Sequence, residues 1–273
     1  MKKIIFSILL ILLILPSFCF SQKNPSLKFS VGLAIPAGEL GGNFIFTNDS
    51  GVSFIDQNFL KENYATSTGA TITGTLKFPL EKSGILNGTF IGSYSYFNAF
   101  KRKFLGTTVQ NSLVVPVTFD RRFSASTFGI GIELNPVPEA KISPFVNTNL
   151  TLNILSLTLT RNEFSNAFFN DAFRIGVLTN AGVAIKINNE YSVMIGGSYH
   201  LSNLLLKSSS DNINDRAEFG REGIPFNDGE GLIYTNLSNP DQFPAQVMGK
   251  TKNVNWWNIN IGLNIALGKT KKK

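Results

Sequence analysis

From Asn255 to Gly268 the chain reads NWWNINIGLNIALG, an almost unbroken alternation of apolar and polar residues. Trp257, Ile259, Ile261, Leu263, Ile265 and Leu267 share one face, and Trp256, Asn258, Asn260, Gly262, Asn264, Ala266 and Gly268 share the other. Side chains of an extended chain point alternately to opposite sides, so the pattern predicts a β-strand with an oily face and a small, amide-rich face. Its length exceeds that of an ordinary globular strand and suffices to cross a bilayer at a tilt.

Seven earlier stretches repeat the pattern. Leu27 to Pro36 sets Leu27, Phe29, Val31, Leu33 and Ile35 against Lys28, Ser30, Gly32 and Ala34. Tyr64 to Phe78 and Ile85 to Phe100 flank a turn at Glu81-Lys82-Ser83-Gly84. Phe123 to Asn135 and Ile142 to Thr160 flank Asn135-Pro136-Val137-Pro138, where proline cannot continue a ladder. Phe173 to Ile187 and Tyr191 to Leu206 flank Asn188-Asn189-Glu190. Within the fifth stretch the apolar set passes from Val146, Leu150 and Leu152 to Leu155, Leu157 and Leu159, a change of phase that predicts a bulge near Ile154.

The connections alternate strictly between long and short. The long ones are a polar, glycine-rich loop from Ala37 to Asn63, then Lys101 to Arg122, Arg161 to Asp171, and Lys207 to Lys252. An up-and-down meander puts alternate connections at opposite ends, so tight turns gather at one end and long loops at the other. The fold class predicted is all-β, an eight-stranded antiparallel up-and-down transmembrane β-barrel. Alternation alone does not separate inside from outside, and a soluble, lipocalin-like lipid-binding barrel would turn the oily face inward. Loop asymmetry, strand length, and a polar face of Gly, Ser, Thr and Asn favour the oily face outward, because a narrow interior is filled by side chains. Phe78, Tyr96, Phe123, Tyr191, Trp256 and Trp257 lie near strand ends and suit interfacial girdles.

The N-terminus changes the picture of the domain limits. Lys2 and Lys3 precede an apolar run from Ile4 to Leu15, which predicts a signal peptide over residues 1–21, cleaved after Ser21. The barrel then spans 22–268, with a Lys-rich periplasmic tail at 269–273. Cys19 is the only cysteine, and Phe18 before it argues against lipidation. The mature chain therefore has no cysteine and a single histidine, which argues against disulfides and zinc, and no cofactor or metal is expected. Removing Lys2 and Lys3 lowers the net charge from +7 to +5, and Lys269, Lys271, Lys272 and Lys273 carry four of those charges. The body is nearly neutral, so nucleic acid is not an expected partner.

Phe29 to Pro36 (FSVGLAIP), Ile142 to Asn147 (ISPFVN) and Ile259 to Ile265 (INIGLNI) resemble the eight-stranded outer-membrane β-barrel proteins of Gram-negative bacteria, especially the porin-like barrel families common in the Bacteroidetes. The likeness covers the whole mature chain and implies an outer-membrane location. It also implies contact with outer-membrane lipid and lipopolysaccharide, and surface protein or glycan partners at the loops. Two features depart from that pattern. The last strand lacks the terminal aromatic of many such barrels, and the sequence is not expected to hold a peptidoglycan-binding domain of the outer membrane protein A kind.

Candidate chemistry lies on the polar face. Lys28, Lys77, Glu133 and Lys186 fall near the turn-side ends of their strands, so Glu133 is expected to pair with one or more of the lysines and help plug that end. Arg174 and His200 complete the expected lumen network. His200 is flanked on its face by Ser198 and Ser202, but these share one strand and no orienting acid is evident, so no catalytic site is assigned and the chain is not expected to be an enzyme. Asp211, Asp215 and Asp228 fit no calcium loop and are expected in a solvated surface loop. The expected role is structural or interactive, through the long loops. The alternative is a narrow channel for small or hydrophobic solutes of the outer membrane protein W type.

Overall fold

A computed structural model describes residues 24–41, 44–47, 53–56, 66–97, 104–110, 113–161, 171–208, 228–229, 231–234, 246–249 and 252–267. The segment expected to be a signal peptide and the Lys-rich tail lie outside them. The described strands are β1 (Ser26–Ala37), β2 (Phe44–Thr47), β3 (Ser53–Asp56), β4 (Gly69–Pro79), β5 (Leu86–Tyr96), β6 (Phe104–Gln110) and β7 (Leu113–Leu134). They continue with β8 (Ile142–Arg161), β9 (Ala172–Lys186), β10 (Tyr191–Leu205), β11 (Gly231–Tyr234), β12 (Gln246–Gly249) and β13 (Asn255–Ala266).

Eight of these close into one antiparallel barrel in the order β1, β4, β5, β7, β8, β9, β10, β13, with β13 returning to β1. The alternation read from the sequence sets the register. Leu263 pairs with Phe29, Ile261 with Val31 and Ile259 with Leu33, each pair on the outer face. Ile259, Ile261, Phe128 and Leu150 are all more than half exposed, whereas Thr73, Thr75, Thr127, Asn147 and Asn149 are buried. The oily face points outward, so a lipocalin-like apolar lumen is not what these residues form. The belt runs from the row Tyr191–Ile265–Leu27 to the row Tyr199–Trp257–Ile35. That is about 27 Å along a strand and, at a usual barrel tilt, about 20 Å along the axis, close to the apolar band of membrane barrels.

Local chemistry fixes the tight turns. Asn188 Oδ1 accepts from the backbone N–H groups of Glu190 and Tyr191, both at 2.8 Å, and so closes the β9–β10 turn. Between β4 and β5, Glu81 accepts from the Leu86 N–H at 3.1 Å and from the Ser83 hydroxyl, and Gly84 takes a positive φ.

Four expectations need correction. The Lys101–Arg122 connection is not a plain loop. It holds β6 and the first ten residues of β7, which pair as a hairpin from Phe104–Phe119 to Gln110–Leu113 beyond the barrel rim. Nor is the Ala37–Asn63 segment irregular throughout, because β2 and β3 pair there and β12 joins β2, giving a four-stranded sheet from the first and last long connections. No bulge forms at Ile154. Pairing runs unbroken through it to β7 and to β9, and Leu155 simply turns into the lumen, where it is buried. Phe123 and Trp256 are likewise fully buried inside rather than members of a girdle. Apolar residues enter the lumen at this level because they pack against one another.

Candidate functional site

The lumen is graded from one end to the other. At the turn end β7 carries Glu133 into the interior, where it is 1% exposed. Lys28 on β1 donates to Glu133 Oε2, and Lys77 on β4 reaches Oε1 at 3.2 Å. The Lys28 ammonium also lies 4.1 Å from the centre of the Phe145 ring, a cation–π contact. A buried carboxylate held by two ammonium groups satisfies the pairing that burial demands. Lys186 does not join them. Its ammonium stands 3.7 Å from Glu139 in the β7–β8 turn, at the lip of the barrel. Below the ion cluster a cavity of about 790 Å³ opens at this end, lined by Ser26, Lys77, Asn87, Glu133, Lys186 and Asn264 among others.

Above the cluster the lumen narrows. Ile91, Phe145, Leu178 and Met194 project inward and are buried, and they border a void of about 30 Å³, room for one water. The sequence pattern assigned the inner face to polar residues and missed this collar. Around it Thr89, Asn147 and Asn149 exchange hydrogen bonds, with Thr89 Oγ1 donating to Asn149 Oδ1 at 2.7 Å and Asn147 Nδ2 donating to Thr89 Oγ1 at 3.1 Å.

Aromatic rings close the loop end. Trp256 stacks on His200 at 4.5 Å and meets the edge of Phe97 at 5.5 Å, while Phe97 lies 5.2 Å from Phe123. Val254 and Leu155 are buried as well. The His200 ring nitrogen Nε2 lies 2.8 Å from Asn258 Nδ2, and the Ser202 hydroxyl donates to the Val254 carbonyl at 2.7 Å. The arrangement is one of packing, with His200 and Ser202 each engaged by a different neighbour.

Arg174 is at this same end, and its partner overturns an expectation. Asp228 is not in a solvated loop; it is 1% exposed. Arg174 Nε donates to its Oδ2 at 2.8 Å and Nη2 to its Oδ1 at 2.7 Å. Asn203 Nδ2 donates to Oδ2 at 2.8 Å and the Ser208 N–H to Oδ1 at 3.1 Å. Asn203 also donates to the Lys252 carbonyl at 2.9 Å and accepts from the Val254 N–H at 2.7 Å. The start, the middle and the end of the longest connection are thus tied together over the barrel mouth. Lys252 is pulled into this knot, and burial lowers its pKa to about 8 against the opposing pull of Asp228 and Glu39. Asp211 and Asp215 lie outside the described residues. Asp228 could have been singled out only by its distant partner, since nothing local marks it.

No family model matches the chain, and no curated protein matches its sequence. Solved structures with a similar course include Neisserial surface protein A, at 12% identity and a TM-score of 0.42 over 89% of this chain and 97% of that one. The outer membrane protein OprG from Pseudomonas aeruginosa matches at 8% identity and a TM-score of 0.44, over 92% of this chain and 99% of that one. A major outer membrane protein from Thermus thermophilus matches at 9% identity and a TM-score of 0.39, over 88% of this chain and 99% of that one. These likenesses are too distant to transfer a role; the barrel assignment rests on the closed strand pairing described above.

Proposed function

We propose that this chain is an integral outer-membrane barrel that works through its loop end, holding a folded loop assembly at the cell surface for contact with a protein or glycan. The observation that carries the reading is the pairing of an apolar exterior with a lumen blocked at three levels. Water would leave Ile259, Ile261, Phe128 and Leu150 exposed at a cost of about 1–2 kcal/mol each, whereas lipid removes it. Surrounding outer-membrane lipid and lipopolysaccharide are accordingly its expected contacts. Among the described residues, Glu133 with its lysines, the Ile91–Phe145–Leu178–Met194 collar and the Trp256 cluster fill the lumen at three levels, which argues against conduction. The β6–β7 hairpin and the sheet of β11, β12, β2 and β3 give the loop end a defined shape, as a binding surface needs.

Neighbouring tryptophans make a direct test. Trp257 faces outward and is 52% exposed, while Trp256 is fully buried in the lumen. In vesicles containing brominated lipid, a Trp256→Phe variant, which retains Trp257, should lose most of its fluorescence. A Trp257→Phe variant, which retains Trp256, should be quenched far less. Equal quenching would overturn the insertion geometry, and stable single-channel steps in planar bilayers would overturn the closed lumen.

A further inference from the structure

We propose that the cavity at the turn end is a binding site for a small zwitterion, with a phosphate or carboxylate group at its floor and an ammonium group at its lip. The inference stands on the lumen alone and is independent of what the loops contact. The cavity, about 790 Å³, has the volume of a small-molecule site. Its floor holds Lys28 and Lys77 against the single carboxylate of Glu133, an excess of one positive charge. Among the described residues Glu133 Oε1 is the one polar partner of the Lys77 ammonium, at 3.2 Å, which leaves donors of a three-donor group to spare.

A second, independent feature points to a ligand at the same place. Ser26 is directly opposite Lys77 in the β1–β4 register, is 5% exposed, lines the cavity, and has no partner for its Oγ among the described residues. The Asn264 side-chain oxygen, opposite Lys28 on β13 and on the same wall, also has none. Buried polar atoms are ordinarily paired; beside the unbalanced ammonium the Ser26 hydroxyl can donate to an anionic group, and the Asn264 oxygen can accept from a protonated phosphate oxygen. The cavity lining at the lip carries the opposite sign. Lys186 and Glu139 offset each other there, and Glu190 adds a negative charge. The Glu190 carbonyl accepts from the Ala266 N–H at 2.8 Å, and Ala266 pairs with Ser26, so the lip carboxylate belongs to a strand end two strands from the free hydroxyl, about 10 Å away. A plain anion would meet that carboxylate on entry, whereas a zwitterion satisfies both ends.

The test uses the isotope-labelled protein in uncharged maltoside micelles, titrated with O-phosphoethanolamine and, separately, with inorganic phosphate at matched ionic strength. Saturable amide shifts are expected at Ser26, Lys77 and Asn264 and not at Asp228 or Trp256, with O-phosphoethanolamine the tighter of the two. Lys77→Gln should weaken binding by about tenfold, the loss of one charged hydrogen bond. It leaves the Lys28–Glu133 pair in place, so folding, checked by the heat-dependent gel shift, is retained. Glu190→Gln should abolish the preference for O-phosphoethanolamine over phosphate. Non-saturating drift, unaltered binding in Lys77→Gln, or phosphate binding at least as tight as the zwitterion would overturn the proposal.

Discussion

Removing the carboxylate of Asp228 isolates the contribution of the knot over the barrel mouth. In Asp228→Ala the Arg174 guanidinium, 5% exposed, loses two hydrogen bonds, and Asn203 and the Ser208 N–H lose one each. Breaking a buried pair by deleting one partner typically costs about 3–5 kcal/mol, because the surviving charge stays buried without its counter-ion. The barrel wall does not pass through Asp228, so the loss should appear as local opening rather than global unfolding. Its reporters are the Asp228 and Gly229 N–H groups, bonded to the Ser208 carbonyl at 3.1 and 3.0 Å, and the Lys252 N–H, bonded to the Asp228 carbonyl at 3.0 Å. At 1.36 kcal/mol per decade, hydrogen exchange at these three should accelerate by about a hundred- to several-thousand-fold, while amides such as Ile261 and Val31 keep their rates. The paired replacement Arg174→Met with Asp228→Leu should recover part of the loss, since neither member of the Arg174–Asp228 pair is then left buried without the other, while Lys252 keeps Glu39 as its counter-charge. If the three amides exchange at wild-type rates in Asp228→Ala, the carboxylate does not hold the loop and the reasoning fails.

Glu133→Gln leaves two ammonium groups facing each other at the turn end; allowing for the partial exposure of Lys77, it should cost about 2–4 kcal/mol in a urea titration of the refolded barrel, and an unchanged midpoint would refute the pairing. Two glycines should differ sharply in tolerance. A Cβ at Gly131 would stand 2.0 Å from the Thr148 carbonyl oxygen, whereas one at Gly74 would have no neighbour within 4 Å. Gly131→Ala should therefore cost about 1–3 kcal/mol and Gly74→Ala well under 1, by the same titration. The Lys252 ammonium should titrate near pH 8 when followed through its side-chain Cε resonance, and a midpoint near 10.5 would show that it is not buried. The sign follows from its lowered pKa. The unfolded chain holds that proton up to about pH 10.5 and the folded chain only to about 8, so this residue makes folding more favourable as pH rises between those values.

Alternation carried the barrel. Strands β1, β10 and β13 lie within two residues of the periodic stretches, because each has one face against the lumen and one against the exterior along its whole length. Where that condition lapses, the pattern lapses too. Val114-Val115-Pro116-Val117 in β7 has no alternation, and this segment pairs with β6 beyond the barrel rim, where no polar lumen imposes a period of two. The partnership of Glu133 with Lys28 and Lys77 could be anticipated from three charges at one level of a narrow interior. That of Arg174 with Asp228 could not, since 54 residues separate them and the carboxylate arrives from a connection with no periodic pattern of its own. Lys186 was at the right level by count, but its side chain is exposed enough to reach the lip and take Glu139 instead.

The change of phase at Ile154 is the same effect read from inside. A strand whose apolar set switches faces without a bulge has passed from a polar-filled part of the lumen to an apolar-filled part, as β8 does between Asn153 and Leu155. Phe123 and Ala125 on β7 and Trp256 on β13 make the matching change on their own strands, so the switch recurs on three strands and forms an apolar band rather than being an accident of one sequence. Placed there, the band lies between the two ends of the molecule. The cavity at the turn end opens beside Lys28, Lys77 and Glu133, while the Asp228 knot lies at the other end, with the Trp256 cluster packed between them. A substitution at Lys77 should therefore be silent at the loops, and one at Asp228 silent in the turn-end cavity. Any measured coupling between the two would mean that the Trp256 cluster opens.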